Sequence, residues 1–96
     1  MDRSQVIQIL REHRAELEQF GVESVAIFGS VARDVARDDS DVDVLVEFGR
    51  PIGLFEFMDL QAYLERLLGR RVDLGTPQSL RPRLRERVLQ EAVYVG

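Results

Sequence analysis

The sequence predicts a small α/β (α+β) fold, a mixed β-sheet with flanking helices. Two patterns predict it. Apolar residues recur at helical spacing in segments 4–20, 54–68 and 79–92, and short apolar runs at 24–28, 41–48 and 71–74 lie between them. Glycine or proline punctuates most of the junctions.

In segment 4–20, Val6, Ile9, Leu10, His13, Leu17 and Phe20 share one helical face, with Ser4 as N-cap and Gly21 as the stop. Ser24-Val25-Ala26-Ile27-Phe28 follows as a buried strand that ends at Gly29-Ser30. Residues 31–37 hold enough alanine and arginine for a short helix before the polar turn Asp38-Asp39-Ser40. Segment 41–48 alternates strictly. Val42, Val44, Val46 and Phe48 point one way, and Asp41, Asp43, Leu45 and Glu47 the other.

Gly49-Arg50-Pro51 breaks that strand. Segment 54–68 is a second amphipathic helix, with Leu54, Phe57, Met58, Leu64, Leu67 and Leu68 toward a core and Gly69 closing it. Segment 71–74 is a third strand, ended by Gly75-Thr76-Pro77. Segment 79–92 is the last helix, with Leu84, Val88 and Ala92 on one stripe and Pro82 in its first turn. Residues 1–96 are expected to form one domain.

The 96 residues carry 45% apolar side chains, which suits one modest core, and no apolar run approaches the roughly 20 residues that span a bilayer. There is no signal-peptide pattern after Met1 and no cysteine, so a cytoplasmic location without disulfides or thiolate metal sites is expected. A net charge of −4 argues against direct, sequence-independent nucleic-acid binding, though not against a nucleotide met by metal ions and local donors. All 13 cationic residues are arginine, which excludes lysine-dependent chemistry, a Walker-type phosphate loop included.

Asp41 and Asp43 stand at i and i+2 on a strand, so both point to one face about 6.5 Å apart. They can converge on one Mg²⁺ or on a pair of ions, with phosphates and water completing the shell. Alone, this pair is equally an acidic loop edge in water. Asp73 lies between Val72 and Leu74 on another strand and projects opposite to its neighbours. If the two strands are adjacent, three carboxylates meet on one patch, an arrangement used for two-metal nucleotidyl transfer. Otherwise Asp73 pairs with Arg70 or Arg71.

Gly29-Ser30, at a strand end before a helix, lets backbone N–H groups approach phosphate oxygens, and the serine hydroxyl adds a donor. The combination Gly29-Ser30, ten residues, Asp41-x-Asp43 arises by chance in about one in 10³ chains of this length.

Ile27-Phe28-Gly29-Ser30-Val31-Ala32-Arg33, with Ser40-Asp41-Val42-Asp43-Val44-Leu45-Val46, resembles the signature of the DNA polymerase beta-like nucleotidyltransferases. The resemblance is nearest to their smallest branch, the minimal nucleotidyltransferases (MNT), and extends to residues 84–94. One departure is Asp34, where the family usually carries glycine.

The resemblance implies the nucleotidyltransferase (polymerase beta-like) fold and Mg²⁺-dependent transfer of AMP or another nucleoside monophosphate from ATP or another triphosphate to a hydroxyl. It assigns Asp41, Asp43 and Asp73 as catalytic ligands of two Mg²⁺ ions, with Asp73 a candidate general base, and Gly29 and Ser30 as nucleotide contacts. It also implies a role as antitoxin, in a hetero-oligomer with a HEPN-type toxin whose tyrosine accepts the nucleotide. The alternatives are an antitoxin that acts by binding alone and a small-molecule transferase of the aminoglycoside-modifying type. Larger relatives use a further domain for the acceptor, so a separate protein is expected to complete this site.

Other residues carry less. His13, the one histidine, reads as a packing or helix-edge residue. Arg33 and Arg37 could each reach a phosphate or pair with Asp34, Asp38 or Asp39, and Arg33 is taken as a nucleotide contact. Arg81, Arg83, Arg85 and Arg87 form a basic cluster, solvated or facing a partner. Phe55, Ala62 and Tyr63 lie off the core stripe, as ordinary surface or a partner contact.

Overall fold

The computed structural model describes residues 2–33 and 41–95, with Ser30 described by its backbone alone. The elements are α1 (Arg3–Glu12), α2 (Arg14–Gln19), β1 (Val22–Phe28), α3 (Gly29–Ala32), β2 (Val42–Phe48), α4 (Leu54–Leu68), β3 (Val72–Gly75), a 3-10 turn (Pro77–Ser79), α5 (Pro82–Glu91) and β4 (Val93–Tyr94). The strands form one mixed sheet in the order β3-β2-β1-β4. β1 runs antiparallel to β2 and β4, while β2 and β3 are parallel and are joined by α4 as their crossover.

Alternation along the strands sorts the sheet into two faces. Val25, Ile27, Val42, Val44, Val46 and Val72 share the face that packs on the helices, each at most 3% exposed. Val6 and Leu10 from α1, Leu17 from α2, and Leu60, Leu64 and Leu68 from α4 complete this core. Each fully buried leucine contributes about 2 kcal/mol of transfer free energy. The register puts Ala26, Phe28, Asp43, Leu45, Asp73, Gly75 and Tyr94 on the other face. The edge strand β3 is tied down by α4: Gln61 Nε2 donates to the Val72 carbonyl at 3.0 Å, and the Val72 N–H donates to Glu65 Oε2 at 3.1 Å.

Several expectations need correction. The helix over 4–20 is two helices, broken at His13, whose backbone leaves the helical region (φ −109°, ψ 23°) and whose Nδ1 lies 2.8 Å from the Ile9 carbonyl oxygen. Asp2, not Ser4, caps α1 in a capping box with Gln5, both bonds being 2.9 Å. α4 spans Leu54–Leu68 and ends at Gly69 with φ 66°, as glycine allows. Its core stripe, however, is Leu60, Leu64 and Leu68. At 100° per residue, Leu54 and Met58 lie about 80° and 120° round the helix from Leu64, and they are 71% and 53% exposed.

Tyr63, off the core stripe by its spacing, is half-buried with its ring 5.3 Å from that of Phe20. Phe55 and Ala62 are exposed, as expected. The last helix starts at Pro82 rather than residue 79, because the residue before a proline is driven to extended backbone, here Arg81 at ψ 143°. None of its residues is fully buried, and Leu84 is exposed. Arg85 is not simply solvated: it donates to the Pro77 carbonyl at 2.7 Å and to that of Leu80 at 3.4 Å. The fourth strand was not expected at all.

The helix expected over 31–37 is represented by α3 and the turn at Arg33; Asp34, Arg37 and the turn Asp38-Asp39-Ser40 lie outside the described residues. Among the described residues, no helix is long and apolar enough to cross a membrane.

Candidate active site

The site grows from the register of β2 and β3. Asp43 stands directly opposite Asp73, on neighbouring strands about 4.8 Å apart. On its other side Asp43 faces Phe28, the last residue of β1. The chain then turns at Gly29, whose φ of 71° is a left-handed conformation that side chains resist. A Cβ at this position would also overlap Asp43 Oδ2 and lie 3.1 Å from its Cγ. Glycine is needed here for backbone and for space, and its absent side chain opens the surface beside the Asp43 carboxylate.

Asp43 is half-buried, Asp73 and Asp41 exposed. Burial, then the charge of Asp73, then that of Asp41, push the Asp43 carboxyl up to about 6 from its ordinary 3.8, while Arg33 acts against them. The Asp43 and Asp73 carboxyls are near enough to share a hydrogen bond. Asp41 lies just ahead of β2 and turns its Oδ1 toward Arg71 Nε at 3.9 Å, so Arg71 pairs with Asp41. Among the described residues no three acidic or histidine side chains close on one point as they stand.

The structure therefore brings Asp43, Asp73 and Gly29 together and leaves Asp41 at the rim. Ser30 continues the backbone of α3 after Gly29. Arg33 follows at the end of α3, 55% exposed, with Nη1 3.5 Å from Glu91 Oε2. Glu91 was missed by sequence reasoning, and nothing local to its helix could have revealed it. A separate cleft of roughly 650 Å³, lined by Phe48, Arg50, Ile52 and Phe57 among others, opens at the far end of β2 and is lined by no carboxylate among the described residues.

The donor set fits a hard divalent cation. Carboxylate oxygens are the ligands Mg²⁺ prefers, and a cation would offset both the burial and the neighbouring charges of Asp73 and Asp41 that raise Asp43. The Asp41–Arg71 pair is long and exposed, so little is lost when Asp41 turns away from it.

A family model described as a nucleotidyltransferase domain matches residues 7–95. The chain is 47% identical over 92 residues to the protein adenylyltransferase MntA of Thermococcus cleftensis, covering 95% of this chain and 93% of that protein. A solved structure provisionally named a minimal nucleotidyltransferase superposes with a TM-score of 0.84 at 42% identity, covering 97% of this chain and 95% of that one. The fold is also shared, at a TM-score of 0.62 and 19% identity, with a structure of an MNT antitoxin in complex with the tri-AMPylated HEPN toxin of Shewanella oneidensis, covering 98% and 68% of the two chains. With a small mixed sheet, the glycine turn after β1, paired aspartates on β2 and β3, and a family match over almost its whole length, the chain belongs to the nucleotidyltransferase domain family.

Proposed function

We propose that this chain is an Mg²⁺-dependent protein adenylyltransferase that moves AMP from ATP to a tyrosine hydroxyl of a HEPN-type toxin and thereby acts as its antitoxin. The observation that carries it is Asp43 beside Asp73 across two parallel strands, with the bare backbone of Gly29 against Asp43. The name of the MntA relative and the modified toxin bound by the MNT antitoxin support transfer of AMP, a protein acceptor and the class of partner.

Asp41, Asp43 and Asp73 would hold two Mg²⁺ ions, which when bound neutralise the triphosphate charge and activate the leaving pyrophosphate. Gly29 and Ser30 would offer backbone N–H donors to the phosphates, and Arg33 a cationic donor. The tyrosine oxygen attacks the α-phosphorus, the bond from that phosphorus to the oxygen bridging to the β-phosphate breaks, and pyrophosphate leaves with the electron pair. Asp73, exposed beside Asp43, receives the phenolic proton.

The test is transfer of label from [α-³²P]ATP to the co-purified toxin in the presence of Mg²⁺. Asp41→Asn with Asp43→Asn is expected to abolish the label and the neutralisation of the toxin together. Neutralisation that survives the double change unaltered would instead assign the role to binding alone.

A further inference from the structure

Arg33 and Glu91 are far apart in sequence, yet Arg33 Nη1 lies 3.5 Å from Glu91 Oε2. The last strand makes this possible. Val93 pairs with Ile27 and Tyr94 with Ala26, and the Val95 N–H donates to the Val25 carbonyl at 2.9 Å. From α1, Arg11 Nε donates to the Val95 carbonyl at 2.6 Å. β4 is thereby fastened to the strand that ends at Phe28, and α5, which runs directly into β4, delivers Glu91 beside α3. The second Glu91 oxygen faces Arg87 Nε at 3.9 Å, one turn earlier on α5.

Arg33 closes α3, the short helix that begins at Gly29 against the Asp43 carboxylate. Its side chain is half exposed, and an exposed arginine left to itself samples many rotamers that must be given up when it grips a phosphate. A guanidinium has five N–H donors, so one bond to Glu91 leaves four for another anion.

We propose that Glu91 is a positioning residue for the nucleotide site: it holds the Arg33 guanidinium at the end of α3 in the free protein, so that Arg33 meets the triphosphate already ordered. This role rests on the proposed nucleotide site. Glu91 itself touches no phosphate; like charge would repel it. It acts through Arg33, by reducing the ordering cost of binding. The carboxylate that does so belongs to α5, anchored by β4, so the closing strand of the sheet serves the site as well as the fold.

The experiment is a double-mutant cycle on the full chain, reading by calorimetry the affinity for the Mg²⁺ complex of α,β-methylene-ATP, which cannot be cleaved at the reacting bond. Glu91→Gln is expected to weaken binding about three- to fivefold, the scale of a half-exposed ion pair. Arg33→Gln is expected to weaken it about tenfold, as loss of a charged phosphate donor. The double variant should bind no worse than Arg33→Gln alone, because Glu91 has nothing left to position. Glu91→Asp, which keeps the charge and shortens the reach, should fall between Glu91→Gln and the unaltered chain.

A second measurement needs no ligand: the Arg33 Nε–Hε order parameter by NMR should drop in Glu91→Gln while thermal stability barely moves. Unaltered affinity in Glu91→Gln, or a loss that adds in full to that of Arg33→Gln, would overturn the inference alone. Failure of the unaltered chain to bind the analogue would overturn the proposed function, and this role with it.

Discussion

Asp43→Asn should stabilise the free protein at neutral pH, although it removes a residue placed at the centre of the site. In the folded chain the Asp43 carboxyl is raised from 3.8 to about 6 by burial and by Asp73 and Asp41. At neutral pH the fold therefore holds a charge that it disfavours. Taken at ~1.36 kcal/mol for each tenfold change in acidity, the difference between 3.8 and about 6 amounts to about 3 kcal/mol. The side chain is only half-buried, so screening by water reduces this to about 1–2 kcal/mol.

The sign follows from linkage. A group whose folded pKa is raised contributes its full stability below the unfolded value and loses it as pH rises through the folded value. The advantage of the asparagine variant should be greatest above pH 6, shrink between about pH 6 and 3.8, and vanish below that. Thermal unfolding followed by circular dichroism across this range is the assay, with an expected rise in Tm at pH 7.5 of about 5–10 °C for a domain of this size. Added Mg²⁺ should narrow the gap, since a bound cation stabilises the aspartate form alone. A variant that melts at or below the unaltered protein at pH 7.5 without Mg²⁺ would refute the electrostatic account.

Three further outcomes follow from the same geometry. Asp73→Asn should lower the titration midpoint of Asp43 from about 6 toward the ordinary carboxylate range, because Asp73 is the charged neighbour acting most strongly on it; ¹³C NMR of the carboxyl reads this directly, and an unmoved midpoint refutes it. Gly29→Ala should cost at least about 1–2 kcal/mol from the left-handed backbone alone, and more from overlap with Asp43, so chemical denaturation that shows no loss would contradict the turn. Leu64→Ala, at a fully buried position of α4, should cost about 2–5 kcal/mol with an unchanged denaturant slope.

Much of this molecule is legible in its residues because the signals are local. The alternation at 41–48 put Asp41 and Asp43 on the face opposite Val42, Val44 and Val46, and these valines are buried, although Leu45 on the aspartate face is buried as well. The second helix was bounded at both ends by the sequence, since Gly69 supplies the left-handed cap that only its own φ requires. The combination of Gly29-Ser30 with the spaced aspartates pointed to the family, because four residue types at a fixed spacing rarely coincide by chance. Where local signals conflict with packing they mislead. Leu54 and Met58 fit a helical apolar pattern as well as Leu60 does, and only the docking of α4 on the sheet decides which stripe is covered.

Tertiary structure alone settled the rest. That β3 lies beside β2 rather than elsewhere, so that Asp73 faces Asp43, is a matter of strand order, which no periodicity encodes. β4 has two residues, too few for any alternation to be seen, and it exists because β1 offers Ile27 and Ala26 a partner. Through it, Glu91 meets Arg33 across a large gap in sequence. The sequence by itself determined the family and the candidate side chains for nucleotidyl chemistry, since both follow from residue type and near-neighbour spacing. Only the folded sheet decided which of those side chains meet, because contacts between distant segments depend on the order in which strands share their hydrogen bonds.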